Sequence, residues 1–108
     1  VYKRQRYSIM VNHIVFWNFK PELTEQEREE AGKMIRQSLE AVREKAEGVI
    51  RLEVRINELA SSNKDIALIS SFETVEALNA YQIHPDHVKA GSFVKTVTCD
   101  RACFDYEG

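Results

Sequence analysis

Apolar residues fill both alternating faces of the first patterned segment, which runs from Val11 to Lys20. An alternation of this kind predicts a β-strand that is covered on two sides. One face carries Ile14 and Phe16. The other face carries Val11, His13, Val15, Trp17 and Phe19.

A helical period follows Pro21. Thr24 and Glu27 have the spacing of a capping box, which predicts that a helix begins after Thr24. Apolar residues then recur at spacings of three and four and predict one buried stripe, formed by Ala31, Met34, Ile35, Leu39, Val42 and Ala46. Gly48 is a natural stop, with Arg43 and Lys45 expected in the last turn, where cations complement the helix dipole.

The period changes to two at Val49, which predicts a second strand. Its expected buried face carries Ile50, Leu52, Val54 and Ile56. Polar residues 61–65 predict a loop, and residues 66–73 a third strand. Thr74 can cap a second helix that carries Val75, Leu78 and Tyr81, and Pro85 breaks this helix. A short helical piece over 86–93 and a fourth strand over 97–106 complete the pattern.

The order β-α-β-β-α-β predicts a ferredoxin-like α+β fold, in which an antiparallel four-stranded sheet carries its helices on one face. Helices can cover only one face, yet the first strand is apolar on both. We therefore expect the sheet of a second copy to cover the other face, which gives a homodimer. Arg51, Glu53 and Arg55 alternate with the apolar positions of the second strand, so the second face is not expected to be uniformly dry.

Length and charge narrow the class of protein. The chain has 108 residues, which fits one domain. A net charge of −2 argues against a nucleic-acid partner, and no stretch approaches the roughly 20 apolar residues that span a bilayer, so we expect neither nucleic acid nor membrane as a partner.

The ends of the chain and its cysteines indicate a cytoplasmic domain over residues 10–108. Residues 1–9 lack the apolar core of a signal peptide, so we interpret them as an extension or a cloning remnant. Cys99 and Cys103 lie roughly 13 Å apart along a strand, too far for a disulfide. We expect them to share a strand face as small core residues or free thiols in a reducing cytoplasm.

Candidate chemistry concentrates between positions 81 and 88. This segment holds Tyr81, His84 and His87 around the break at Pro85. A break between helices can hold an imidazole and a phenol at the edge of a pocket, where either group exchanges a proton. The residue before a proline avoids helical backbone, so His84 is expected to serve as a turn or N-cap residue.

The same segment carries a family resemblance. The opening run from Asn12 to Pro21, the run Tyr81-Gln82-Ile83-His84-Pro85-Asp86-His87 and the closing Asp105-Tyr106 resemble the stress-responsive A/B barrel domain proteins, over about residues 11–107. The resemblance implies a dimeric α+β barrel. Some plant members of that family are polyketide cyclases that close a poly-β-keto thioester by aldol chemistry. Their catalytic tyrosine and histidine fall on Tyr81 and His87, and a pocket histidine falls on His13.

Two hypotheses follow for the function. In one, the protein binds a small molecule in a cavity near Tyr81 and His87, as a stress-associated protein without turnover. In the other, it is a cofactor-independent cyclase-like enzyme in which His87 is the base and Tyr81 stabilises an enolate. The expected substrate-binding wall is His13, Val15, Trp17 and Phe19. Structural alternatives remain open: Tyr81 as a core ring, and His87 as a hydrogen-bond donor that holds the helix break together.

We expect no cofactor and no metal. The spacing His84-x-x-His87 could contribute to a zinc site, but such spacing alone gives many false matches. Haem-dependent oxidation, known in other dimeric α+β barrels, is a remoter option.

Overall fold

A computed structural model of the chain describes residues 10–57 and 59–108; the predicted extension over 1–9 lies outside them. The elements follow the predicted order, with the second helical region divided in two. They are β1 (Val11–Phe19), α1 (Glu25–Val42), β2 (Val49–Ile56), β3 (Ile66–Phe72), α2 (Val75–Ile83), α3 (Pro85–Val97) and β4 (Thr98–Glu107).

The four strands form one antiparallel sheet in the order β2-β3-β1-β4. This arrangement confirms the predicted ferredoxin-like α+β fold. The helices and one face of the sheet enclose the core, to which β1 contributes the face that also carries His13. The largest fully buried side chains include Tyr81, Phe72, Ile35, Leu52, Ile66 and Leu68.

Helix α1 begins as its sequence predicts but ends earlier. The Glu27 amide donates to Thr24 Oγ1 over 3.1 Å, and the Thr24 amide donates to Glu27 Oε1 over 2.8 Å, which confirms the capping box. The helix ends at Val42, six positions before the predicted stop at Gly48. Lys45 therefore lies beyond the helix and pairs with Asp86, with 3.1 Å between Nζ and Oδ2.

The buried stripe of α1 is narrower than predicted. Met34 is 52% exposed, because the helix turns its adjacent residue, Ile35, fully into the core. Gly32 occupies a buried position instead, where its backbone lies against the side chains of Phe19 and Ile56.

Gly48 lies immediately before β2 in a left-handed conformation with φ of +77°, and a Cβ atom there would lie 2.7 Å from the Cβ of Ala77. We expect Gly48→Ala to lower the free energy of unfolding by about 1–3 kcal/mol, because both the backbone and the contact oppose a side chain. Gly91 in α3 is the control, because a Cβ there meets nothing within 4 Å. Gly91→Ala should raise the free energy of unfolding by about 0.5–1 kcal/mol. Urea denaturation measures both, and shifts of the same sign would contradict the expectation.

The break between α2 and α3 is built by His84. The Asp86 amide donates to His84 Nδ1 over 3.1 Å, and Pro85 occupies the first helical position. The N-cap role predicted for His84 is therefore confirmed. Helix α3 continues to Val97 rather than ending near 93, because buried Ala90 and Val94 extend its packed face.

Two bulges reverse side-chain directions that strict alternation predicts. In β4, Asp100 has a φ of 55° and the register shifts, so Cys99 lies opposite Asn18 whereas Cys103 lies opposite Val15. The two cysteines are free and lie on opposite faces, so the predicted shared face is wrong. A register shift near Val49 similarly leaves Ile50 49% exposed rather than in the core.

The sheet has an open face that no helix covers. Its central residues include Ile14, Phe16, Ile69 and Phe104, which the register places side by side. Phe104 is 65% exposed in the single chain. Other members of this open face include Asn12, Asn18, Arg51, Glu53, Arg55, Ala67, Ser71, Cys99, Ala102 and Tyr106. Among the described residues, no helix combines the length and the apolar character that crossing a bilayer requires.

Candidate functional site

Tyr81 lies in the last turns of α2 and points into the core. Its side chain is fully buried, and its ring packs against Phe72 with ring centroids 5.0 Å apart. The Tyr81 hydroxyl has no hydrogen-bond partner among the described residues. Burial raises the pKa of Tyr81 far above its usual range, so the phenol stays protonated and acts as a hydrogen-bond donor.

His87 lies in the first turn of α3, where the helix break brings its ring close to that of Tyr81, with the two ring centroids 4.3 Å apart. The carbonyl of Gln82 lies 3.1 Å from His87 Nδ1 and can only accept, so Nδ1 carries the proton and Nε2 is left as an acceptor. Burial lowers the pKa of His87 despite the hydrogen bond to Gln82. The imidazole is therefore neutral at neutral pH and able to take a proton through Nε2.

The hydrogen bond from His87 Nδ1 to the Gln82 carbonyl joins the start of α3 to the end of α2. It is the bond expected if His87 serves only to hold the helix break together. It uses only one of the two ring nitrogens. A structural role for Nδ1 and a proton-accepting role for Nε2 are compatible.

His13 approaches the same tyrosine from β1. Its buried ring lies 6.5 Å from the Tyr81 ring, centroid to centroid, and its Nδ1 lies 2.5 Å from Asp105 Oδ1. His13 and Asp105 are direct partners in the pairing of β1 with β4. The Asp105 carboxylate oxygen accepts a hydrogen bond from Nδ1–H, which fixes the orientation of the ring, as in other His-carboxylate pairs. Sequence reasoning missed Asp105 as a site residue; only the strand register would have revealed it.

Cys103 completes a cluster on this part of β4. Its Sγ lies 3.4 Å from Asp105 Oδ1 and 3.8 Å from His13 Nδ1. Burial, followed by the hydrogen bond to Asp105 and its charge, raises the pKa of the Cys103 thiol. The thiol is thus protonated at neutral pH and is not an activated nucleophile.

The remaining predicted wall residues, Val15, Trp17 and Phe19, are buried in the core on the same face of β1 as His13. Cavities of about 530, 310 and 290 Å³ lie elsewhere: at the loop between β2 and β3, between α1 and α3, and along α1 near Ile56. These three do not reach Tyr81, His87 or His13. A cavity at the pair and a binding role for the three core residues stay predictions.

The sequence and the fold agree on one family. The model of the stress responsive A/B barrel domain matches residues 11–108. The chain belongs to this family, as the resemblance of its opening and of the segment from Tyr81 to His87 implied. No curated protein matches the chain.

Three solved structures illustrate what the chain is similar to. A dimeric ferredoxin-like protein of unknown function from Bacteroides fragilis is 30% identical with a TM-score of 0.86, covering 92% of this chain and 96% of that one. A Dabb family protein from Mesorhizobium loti is 22% identical with a TM-score of 0.68, covering 91% and 95%. A hydroxynitrile lyase from Passiflora edulis is 13% identical with a TM-score of 0.71, covering 92% and 93%, and shows the fold alone.

Proposed function

We propose that this protein binds a small carbonyl compound beside Tyr81 and His87 and transfers a proton from the carbon next to that carbonyl. The observation that carries the proposal is the Tyr81 hydroxyl, which is buried, protonated and without a partner among the described residues. It belongs to a ring whose centroid lies 4.3 Å from that of His87 and 6.5 Å from that of His13. A buried donor left unpaired destabilises a protein by about 1–3 kcal/mol. A ligand oxygen that accepts from this hydroxyl offsets that penalty.

The step uses groups already in their reactive forms. His87 Nε2 takes the proton, and the electron pair of the broken C–H bond moves into an enolate. The Tyr81 O–H donates a hydrogen bond to the enolate oxygen, where negative charge develops. The proton then returns to carbon or passes to solvent, so no oxidant, reductant or cofactor enters the balance.

The burial of Tyr81 limits the size of the ligand that can reach it. Tyr81 is fully buried and the three cavities described above do not reach it, so side chains around the helix break must move for a ligand to arrive. A β-keto ester or thioester meets this requirement, because it is small and because the carbon between its two carbonyls is acidic. The Passiflora lyase indicates that the fold can carry an enzyme.

Exchange of the acidic hydrogens of ethyl acetoacetate with deuterium, followed by NMR, tests the proposal. We expect the chain to accelerate exchange above the buffer rate and His87→Gln to reduce that acceleration by about 10²–10⁴-fold, the usual contribution of a general base. His84→Asn is the matched control, since asparagine also caps helices, and it should leave the rate unchanged. Equal rates for the wild type and His87→Gln would refute proton transfer by His87.

The pH profile of this exchange follows from the lowered pKa of His87. Only the neutral imidazole accepts a proton, so the enzymatic rate should stay constant from pH 8 down to the usual histidine value near 6.5 and fall only below it. The sign is the same for stability: the unfolded chain binds the proton first as the pH falls, so the free energy of unfolding also decreases there. A rate that falls already above pH 7 would contradict this assignment.

Binding without turnover is the second candidate function. The Tyr81 hydroxyl, which has no hydrogen-bond partner among the described residues, favours it as well. In that case ethyl acetoacetate should protect the protein against thermal unfolding while exchange stays at the buffer rate. Stabilisation by a ligand grows with its concentration relative to Kd, so a titration followed by melting temperature measures this binding directly.

A further inference from the structure

We propose that His13, Cys103 and Asp105 form a binding site for a single zinc ion, with a fourth coordination position open to water or a ligand. One ligand atom from each residue lies within 4.8 Å of the other two. Nitrogen, sulfur and oxygen donors together suit zinc, whereas magnesium and calcium take oxygen donors.

The separations between the donor atoms can be compared with a tetrahedral site. Zinc bonds of about 2.3 Å to sulfur and 2.0 Å to nitrogen or oxygen place sulfur roughly 3.5 Å from each of the other donors. The observed separations from Cys103 Sγ are 3.8 Å to His13 Nδ1 and 3.4 Å to Asp105 Oδ1. Two of the three edges therefore already have the required length.

The third edge must open. Nitrogen and oxygen ligands of one zinc lie about 3.3 Å apart, whereas His13 Nδ1 and Asp105 Oδ1 are joined by a hydrogen bond of 2.5 Å. The Asp105 side chain is 44% exposed and can move, while His13 is held in the core. The metal then replaces the shared proton as the link between them.

The fold places the three residues together through strand geometry. Cys103 and Asp105 are two positions apart on β4 and so share a face, and Asp105 is the direct partner of His13 on β1. Strand β4 is at the edge of the sheet, so the cluster is reached from solvent. This set differs from the His84-x-x-His87 spacing, in which His84 Nδ1 already caps α3.

The proton balance of binding is simple. Zinc binds the thiolate of Cys103, so the thiol proton is released to solvent. The proton on His13 moves from Nδ1 to Nε2, which leaves Nδ1 free to bind. Each bound ion thus releases one proton, and no redox step occurs.

Cobalt(II) is the probe, because a thiolate bound to it gives an intense charge-transfer absorption in the near ultraviolet. We expect one cobalt per chain with this band, displacement by added zinc, and loss of the band in Cys103→Ser. Cys99→Ser is the matched control, since Cys99 lies on the same strand but on the other face, and it should retain the band. Asp105→Asn should weaken the affinity, because a neutral amide is a poorer zinc ligand than a carboxylate.

Three results would overturn the proposal: absence of the band in the wild type, retention of the band in Cys103→Ser, or loss of the band in Cys99→Ser. Circular dichroism of each variant checks that it is folded. The titration uses metal alone, so it succeeds or fails independently of any exchange activity at His87.

Discussion

Tyr81→Phe is expected to remove function and to raise stability at the same time. The ring still fills the core against Phe72, so no cavity forms, while the hydroxyl that lacks a partner is deleted. The free energy of unfolding should rise by about 1 kcal/mol, because a buried donor without an acceptor is destabilising. The accelerated exchange of ethyl acetoacetate should fall by about 10²–10³-fold, the usual loss when one donor to a developing oxyanion is removed.

Tyr81→Phe is expected to change stability and exchange activity in opposite directions, which a general loss of folding would not do. Urea denaturation and deuterium exchange measure the two effects on the same sample. Tyr81→Ala is the control for packing, and it should lower the free energy of unfolding by about 3–5 kcal/mol because the whole ring is lost from the core. If Tyr81→Phe instead destabilises the protein by more than about 1 kcal/mol, the hydroxyl has a structural partner and the proposed site loses its main support.

Phe104→Glu is expected to break the homodimer that the two apolar faces of β1 predict. Phe104 lies 65% exposed on the open face beside Ile14 and Tyr106, and several solved structures of this fold are described as dimeric. A carboxylate buried without a partner between two sheets costs about 3–5 kcal/mol, so the dimer should weaken on the order of 10³-fold. Sedimentation at micromolar concentration measures the change.

The control for this variant is Ile83→Glu. Ile83 is 78% exposed at the end of α2, on the helical side of the sheet rather than on its open face. The same charge there should leave the dimer intact. A wild-type chain that sediments as a monomer would contradict the face-to-face arrangement, because the apolar part of the open face would then lie in water.

Local signals in the sequence predicted the elements and their caps. The capping box at Thr24 and the N-cap at His84 each depend on residues within a few positions of one another, and the structure confirms both. Such capping signals are reliable when the local sequence preference and the tertiary packing favour the same structure.

The features that the sequence does not predict are those that depend on the register between strands. The bulge at Asp100 turns Cys99 and Cys103 to opposite faces, and alternation alone does not reveal where a strand gains a residue. The pairing of His13 with Asp105 joins positions 92 residues apart, so it becomes visible only once β1 and β4 are aligned. Tyr81 and His87 were predictable as candidates because a single helix break holds both.

An NMR titration of the chain with ethyl acetoacetate, following the ring resonances of its three histidines, tests the proposed site most directly. The rings of His87 and His13 both lie near the Tyr81 ring, so their resonances should shift with saturation, while those of His84, which caps α3 through Nδ1, should change least. Resonances of His87 and His13 that stay unchanged at saturating ester, or a shift confined to His84, would contradict a binding site at Tyr81.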